Sequence, residues 1–339
     1  MLSLFLSPLF VYSFMAALLV GLSAPVVGTY LVHRRLAMLG DGIGHVALTG
    51  VAVGWLVGSL ANLTPIDRFA VPGAIVASVA AAVVIELVRR SGRTSADVVL
   101  ALLFYGGIAA GVVLIGLAGG SSTQLNSYLF GSLATVSMGD LVLIACMALG
   151  IFAIGIGLRP LLFSVTNDED FARASGLPVN TLSMLIAVMS AVTVAVSMRV
   201  VGALLVSAIM IIPVATAQLF AKSFRSTMGF GMLIGALVSV IGLGITFQVN
   251  ISPGATIVVL AVTVYAVTFA ARSALERMAR SGVDLKECPS SAKLCSIISS
   301  PTQLSAAPKK STDPWRMRGK PPVWQPSTAT CRCWKIPGW

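Results

Sequence analysis

The chain has 339 residues, 57% of them hydrophobic and only 10% charged, with a mean hydropathy of +0.94. That is more apolar surface than a soluble domain of this size can bury, and the long apolar runs exclude a transmembrane barrel, whose strands alternate over about ten residues. The net charge of +11 is uneven: residues 1–283 hold 14 basic and 9 acidic side chains, residues 284–339 hold 9 and 3.

The class is therefore an all-α polytopic membrane protein. Stretches of roughly 20 apolar residues fall near 9–32, 43–60, 71–88, 97–118, 139–158, 181–198, 200–220, 227–247 and 253–271. That makes about nine spans, or eight if the 181–220 region is irregular. The first run leads straight into a second with no signal-peptidase site between them, so it reads as a retained helix. Of the five cysteines only Cys146 lies in the apolar body, which implies no disulfide framework.

With the N-terminus outside, Arg34, Arg35, Arg89, Arg90, Arg93, Arg159, Arg173, Lys222, Arg225, Arg272, Arg277 and Arg280 all fall in the cytoplasm. Only Arg68 and Arg199 fall outside, as the positive-inside rule requires. The C-terminus is then cytoplasmic.

Following the chain, the first chemically distinctive feature is Asp41 and His45, four residues apart in an apolar stretch; His33 is the other histidine of the two. On a helix the two side chains share one face. Counted from Arg35 at ~1.5 Å per residue, they lie roughly 9–15 Å into the bilayer. A carboxylate and an imidazole at that depth mark a pathway or site, and they are competent ligands for a divalent transition metal. A packing bond between them and a proton relay are the alternatives.

Farther on, Gly50, Gly54 and Gly58, and Gly231 with Gly235, give small-residue faces for close helix packing. Pro25 and Pro213 fall within spans. Glu86 precedes Arg89 and Arg90 by one turn and reads as an interfacial i,i+3 or i,i+4 partner. Asp97 and Asp140 each begin a span, where the helix dipole favours an acid.

Between two spans, Asp168-Glu-Asp-Phe-Ala-Arg-Ala-Ser-Gly176-Leu-Pro178 reads as a short helix capped at Asn167 or Asp168 and ended by Gly176 and Pro178. A short exposed helix of this kind suits docking in a partner's groove. An ordinary loop helix is the plain alternative.

After residue 283 the composition changes to a basic segment rich in Cys, Trp and Pro, with six lysines against one before it. Residues 284–339 read first as the product of a frameshift and second as a genuine disordered tail. An in-frame tail seen by mass spectrometry would remove the frameshift. The basic excess makes a solvated appendage, with no nucleic-acid partner implied.

Several of these stretches, in this order, carry a resemblance. They are Arg35 to Gly50, Asp97-Val-Val-Leu-Ala-Leu-Leu-Phe104, Tyr128-Leu-Phe-Gly-Ser132, Asp168 to Gly176 and Val201 to Ala217. Over about residues 9–275 the chain resembles the permease subunits of zinc/manganese ABC transporters, the ABC-3 type, related in fold to vitamin B12 and siderophore importers.

The resemblance implies a type II ABC importer permease-like bundle in the bacterial cytoplasmic membrane, working as a homodimer. Its partners would be an ABC ATPase subunit and an extracytoplasmic metal-binding protein. The chain has no Walker motif of its own, so it is a transporter permease and not an enzyme. Asp41 and His45 match the family's intramembrane metal positions. Asp168, Glu169, Asp170, Phe171, Ala172, Arg173, Ala174 and Gly176 match its ATPase-coupling helix. The cargo would be zinc, by a slight preference, or manganese, with no permanently bound cofactor. The alternative function is a proton-coupled secondary transporter using Asp41 and His45 as a relay. An intramembrane metalloenzyme is disfavoured, because two ligands are too few for a catalytic zinc.

Overall fold

The computed structural model describes residues 8–61, 69–91, 95–118, 126, 128–131, 136–203, 205–249 and 252–284, and the regular elements among them are helices. In chain order these are α1 (Pro8–His33), α2 (Leu39–Leu60), α3 (Ala70–Ser91), α4 (Ala96–Leu117), α5 (Met138–Gly157), α6 (Arg159–Asn167), α7 (Glu169–Ala174), α8 (Val179–Val201), α9 (Val206–Gln218), α10 (Phe224–Val249) and α11 (Pro253–Asp284). The chain divides after Arg280 into a helical body and Ser281–Trp339. The expected tail beyond Asp284 lies outside the described residues.

Eight helices, α1 to α5, α8, α10 and α11, are long and apolar enough to cross a bilayer. The expected ninth span near 200–220 is instead broken. Helix α8 runs on to Val201, and α9 has 13 residues, about 20 Å at ~1.5 Å per residue against the ~30 Å of a hydrocarbon core. Between them the chain leaves helical geometry at Gly202, φ +96°. Irregular backbone at such depth survives only where protein encloses it. Here the Ala203 N–H donates to the Tyr128 carbonyl at 2.8 Å.

The small-residue faces bring helices close enough for backbones to touch. A Cβ on Gly50 would sit 2.4 Å from the Gly73 carbonyl oxygen, and one on Gly54 would sit 2.2 Å from that of Phe69, so α2 lies directly on α3. Gly235 meets the Gly21 carbonyl in the same way, seating α10 on α1. Dispersion over such surfaces replaces the hydrophobic drive that lipid does not supply.

A buried knot closes one end of the bundle. The Tyr30 hydroxyl on α1 donates to the Gly155 carbonyl on α5 at 2.5 Å, and the Tyr30 and Phe224 rings lie 5.4 Å apart. Tyr30→Phe removes only this cross-helix bond. It should lower stability by about 1 kcal/mol, read as a lower melting temperature in detergent with helicity unchanged.

Candidate functional site

Helix α2 begins at Leu39, not at Arg35. Residues 34–38 form a turn in which Arg35 takes φ +59°. Counting helical rise from Arg35 therefore misplaces the pair along α2: Asp41 falls in its first turn and His45 one turn later. Depth is set instead by the neighbours. A Cβ on Gly107, midway along α4, would stand 2.9 Å from the His45 carbonyl carbon. His45 thus lies level with the middle of a spanning helix.

Asp41 is half-buried and faces α9. The Ser207 hydroxyl, on the second residue of α9, donates to Asp41 Oδ1. Gly40 lets this happen, since a Cβ there would be 3.3 Å from Ser207 Cβ and 2.9 Å from Met210 Cε. The carboxylate thus lies in the first turn of α2 and meets the second residue of α9. An acid in the first turn of a helix is favoured by the helix dipole, and among the described residues no lysine or arginine forms an ion pair with Asp41.

His45 is only 4% exposed and faces α4, its ring edge-on to Phe104 with centroids 4.3 Å apart. Its Nδ1 is buried without a hydrogen-bond partner. Such an orphan in a core costs about 1–3 kcal/mol and calls for a reason. The Thr49 hydroxyl one turn on donates to the Gly107 carbonyl at 2.7 Å, holding α2 on α4. Among the described residues no group of three or more His, Cys, Asp and Glu side chains gathers. Asp41 and His45 thus offer one anionic and one imidazole ligand per chain, too few for a tight metal centre.

At the basic end of the bundle the predicted short helix is present as α7. The Asp168 carboxylate caps it, accepting from the Asp170 and Phe171 N–H groups at 3.0 Å each, and Gly176 follows it at φ +77°. Phe171 is 66% exposed while Ala172 is buried, so the outer face offers an aromatic side chain. Asp170 and Arg173 flank it, and Ala174 ends the helix.

Sequence reasoning had not joined Glu169 to anything. It accepts from Arg34, which follows α1, and from Arg89 Nη1 at 3.0 Å. Glu86 behaves as its spacing predicts, pairing with Arg89 at 3.0 Å and Arg90 at 3.1 Å. Burial pushes the Glu169 carboxyl up, but Arg34 and Arg89 outweigh it and hold it below its ordinary range. The sign follows: the stabilisation from this contact is complete above the ordinary carboxylate value of about 4.5 and is lost only as pH falls below it. Activity measured from pH 6 to 8 should therefore show no titration that Glu169→Gln removes.

Asp140 begins α5 as expected, closing a capping box with Ser137. It also forms an ion pair at 2.6 Å with Arg199, near the end of α8. Spacing alone could not foresee that partner.

These features can be compared with known proteins. Residues 7–272 match the model of the ABC 3 transport family. The manganese import system permease protein ScaB of Streptococcus parasanguinis is 32% identical over 254 residues, 75% of this chain and 87% of that protein. The high-affinity zinc uptake system membrane protein ZnuB of Haemophilus influenzae is 26% identical, with 75% and 94% covered. The solved structure of PsaBC from Streptococcus pneumoniae in complex with Fab aligns with a TM-score of 0.69 and 29% identity, over 79% of this chain and 95% of that one. The all-α, eight-span architecture is that of a type II ABC importer permease. The chain belongs to the ABC 3 transport family of ABC transporter permease subunits, which are not themselves enzymes and rely on a separate ATPase.

Proposed function

We propose that this permease carries a divalent transition metal inward by alternating access, passing it across Asp41 and His45. The observation that carries the reading is the buried, unpartnered His45 Nδ1 one turn from a carboxylate that, among the described residues, pairs with no lysine or arginine. A transporter must release what it binds. An aspartate with one oxygen already held by Ser207 makes a weak cation ligand. A second copy of the chain would double the ligands to four. Helix α7 serves as the coupling helix, its exposed Phe171 seated in an ATPase subunit. An extracytoplasmic binding protein delivers metal to the opposite end, the N-terminus lying outside and the C-terminus in the cytoplasm of a bacterial cell.

The wording around Asp41 and His45 leans to zinc. Two observations lean the other way, to manganese: the hydroxyl beside the carboxylate makes the site oxygen-rich, which suits a harder ion, and ScaB, named for manganese import, is more similar than ZnuB. Competition between the two ions in uptake assays decides the cargo. Uptake should stop when the ATPase is lost and survive collapse of the proton gradient. The reverse pattern would favour the proton-coupled alternative.

A further inference from the structure

We infer that Arg34 is a positioning residue of the transport cycle, linking movement of α7 to the turn that sets the Asp41 helix. This rests on the reading of α7 as the coupling helix.

The Arg34 side chain is 4% exposed. Its Nη2 donates both to Glu169 Oε1, the first residue of α7, and to the Ser183 hydroxyl on α8 at 2.7 Å. A buried guanidinium must stay paired, so it follows Glu169 when that residue moves. Apolar packing anchors α7 at one point, its single buried residue Ala172. Its charged attachments to the membrane helices are Arg34 and Arg89.

On its other side, Arg34 leads straight into the turn. Arg35 is the one non-glycine residue at positive φ among the described residues, a conformation that surrounding structure must enforce. Backbone bonds from the Arg35 N–H to the Val32 carbonyl at 3.1 Å and from the Leu36 N–H to the Leu31 carbonyl at 2.9 Å make the turn tight. From there α2 begins at Leu39 and carries Asp41 in its first turn. A cavity of about 60 Å³, lined by Arg34, Arg35, Glu86, Arg89, Leu39 and Leu100, lies beside the turn. The turn is thus bordered on that side by open space. A glutamate pulled with α7 moves a guanidinium one residue from a strained turn and seven from the metal-passing carboxylate.

The test uses the full chain reconstituted in proteoliposomes with its ATPase and binding protein, measuring manganese or zinc uptake and ATP hydrolysis together. Arg34→Gln and Glu169→Gln should each lower metal moved per ATP at least tenfold while hydrolysis continues. The double variant should be no worse than either single change, because the two act as one unit. Arg34→Lys, which keeps the charge and can reach one oxygen, should restore at least half of the coupling. Unchanged uptake per ATP in Arg34→Gln overturns the inference. So do losses that add in the double variant, or uptake and hydrolysis falling in step. Failure of the underlying reading shows elsewhere: Phe171→Ala would then leave ATPase association and hydrolysis untouched.

Discussion

Asp41→Asn should abolish metal uptake, by at least a hundredfold, in a protein that still folds and inserts. Asparagine keeps the shape of aspartate and can still accept from Ser207, so α2 and α9 stay docked. What it loses is the anion. A hundredfold loss corresponds to ~2.7 kcal/mol at about 1.4 kcal/mol per tenfold, a modest demand for removing a charge–cation contact at low dielectric. His45→Ala should give a comparable loss of transport but also a stability cost, since it opens a hole against Phe104. Radioisotope uptake in cells lacking the native permease, with the variant quantified in membranes, separates the two effects. Normal uptake in both variants would remove the pair from the pathway and with it the proposed function.

The second large effect is structural. Gly202 takes φ +96°, and a Cβ there would lie 2.4 Å from the Leu129 carbonyl oxygen and 2.6 Å from the Gly131 nitrogen. Left-handed strain costs about 1–3 kcal/mol and forced overpacking a further ~1–3 kcal/mol. Gly202→Ala should thus destabilise by roughly 2–6 kcal/mol, enough to remove most folded protein from the membrane. Gly150→Ala is the control, because a Cβ there meets nothing within 4 Å. It should melt at or slightly above the parent temperature, helix propensity favouring alanine over glycine. Thermal unfolding in detergent, followed by size-exclusion recovery, reads both. If Gly202→Ala proves as stable as Gly150→Ala, the break between α8 and α9 is not a fixed element of the fold.

Much of the site was legible in the residues because its signals are local. Helical spacing put Asp41 and His45 one turn apart on α2, though the first turns to α9 and the second to α4. Glu86 found Arg89 and Arg90 at i+3 and i+4, and Asp168 with Gly176 bounded α7. The glycine repeats on α2 and α10 marked faces that do pack backbone on backbone. The same reasoning left nine spans or eight open at 181–220, where apolar composition continues through a break, and the structure takes the eight. Hydropathy sums residues and does not see that the helix ends at Gly202.

What spacing cannot supply is a partner far along the chain. Ser207 meets Asp41 across 166 residues, and Arg34 meets Glu169 across 135. Asp41 and Glu169 stand out in the sequence, but nothing there pairs them with Ser207 and Arg34, whose separations follow no helical period. The sequence by itself determined the membrane class, eight of the spans and the one-turn spacing of Asp41 and His45, because length, apolarity and helical periodicity are properties of contiguous residues. Only the tertiary structure decided that α9 starts against Asp41 and that α7 is tied by ion pairs to the turn before it. The reason is physical: a buried charge takes whichever partner helix packing brings within reach, and that packing is settled by the whole bundle at once.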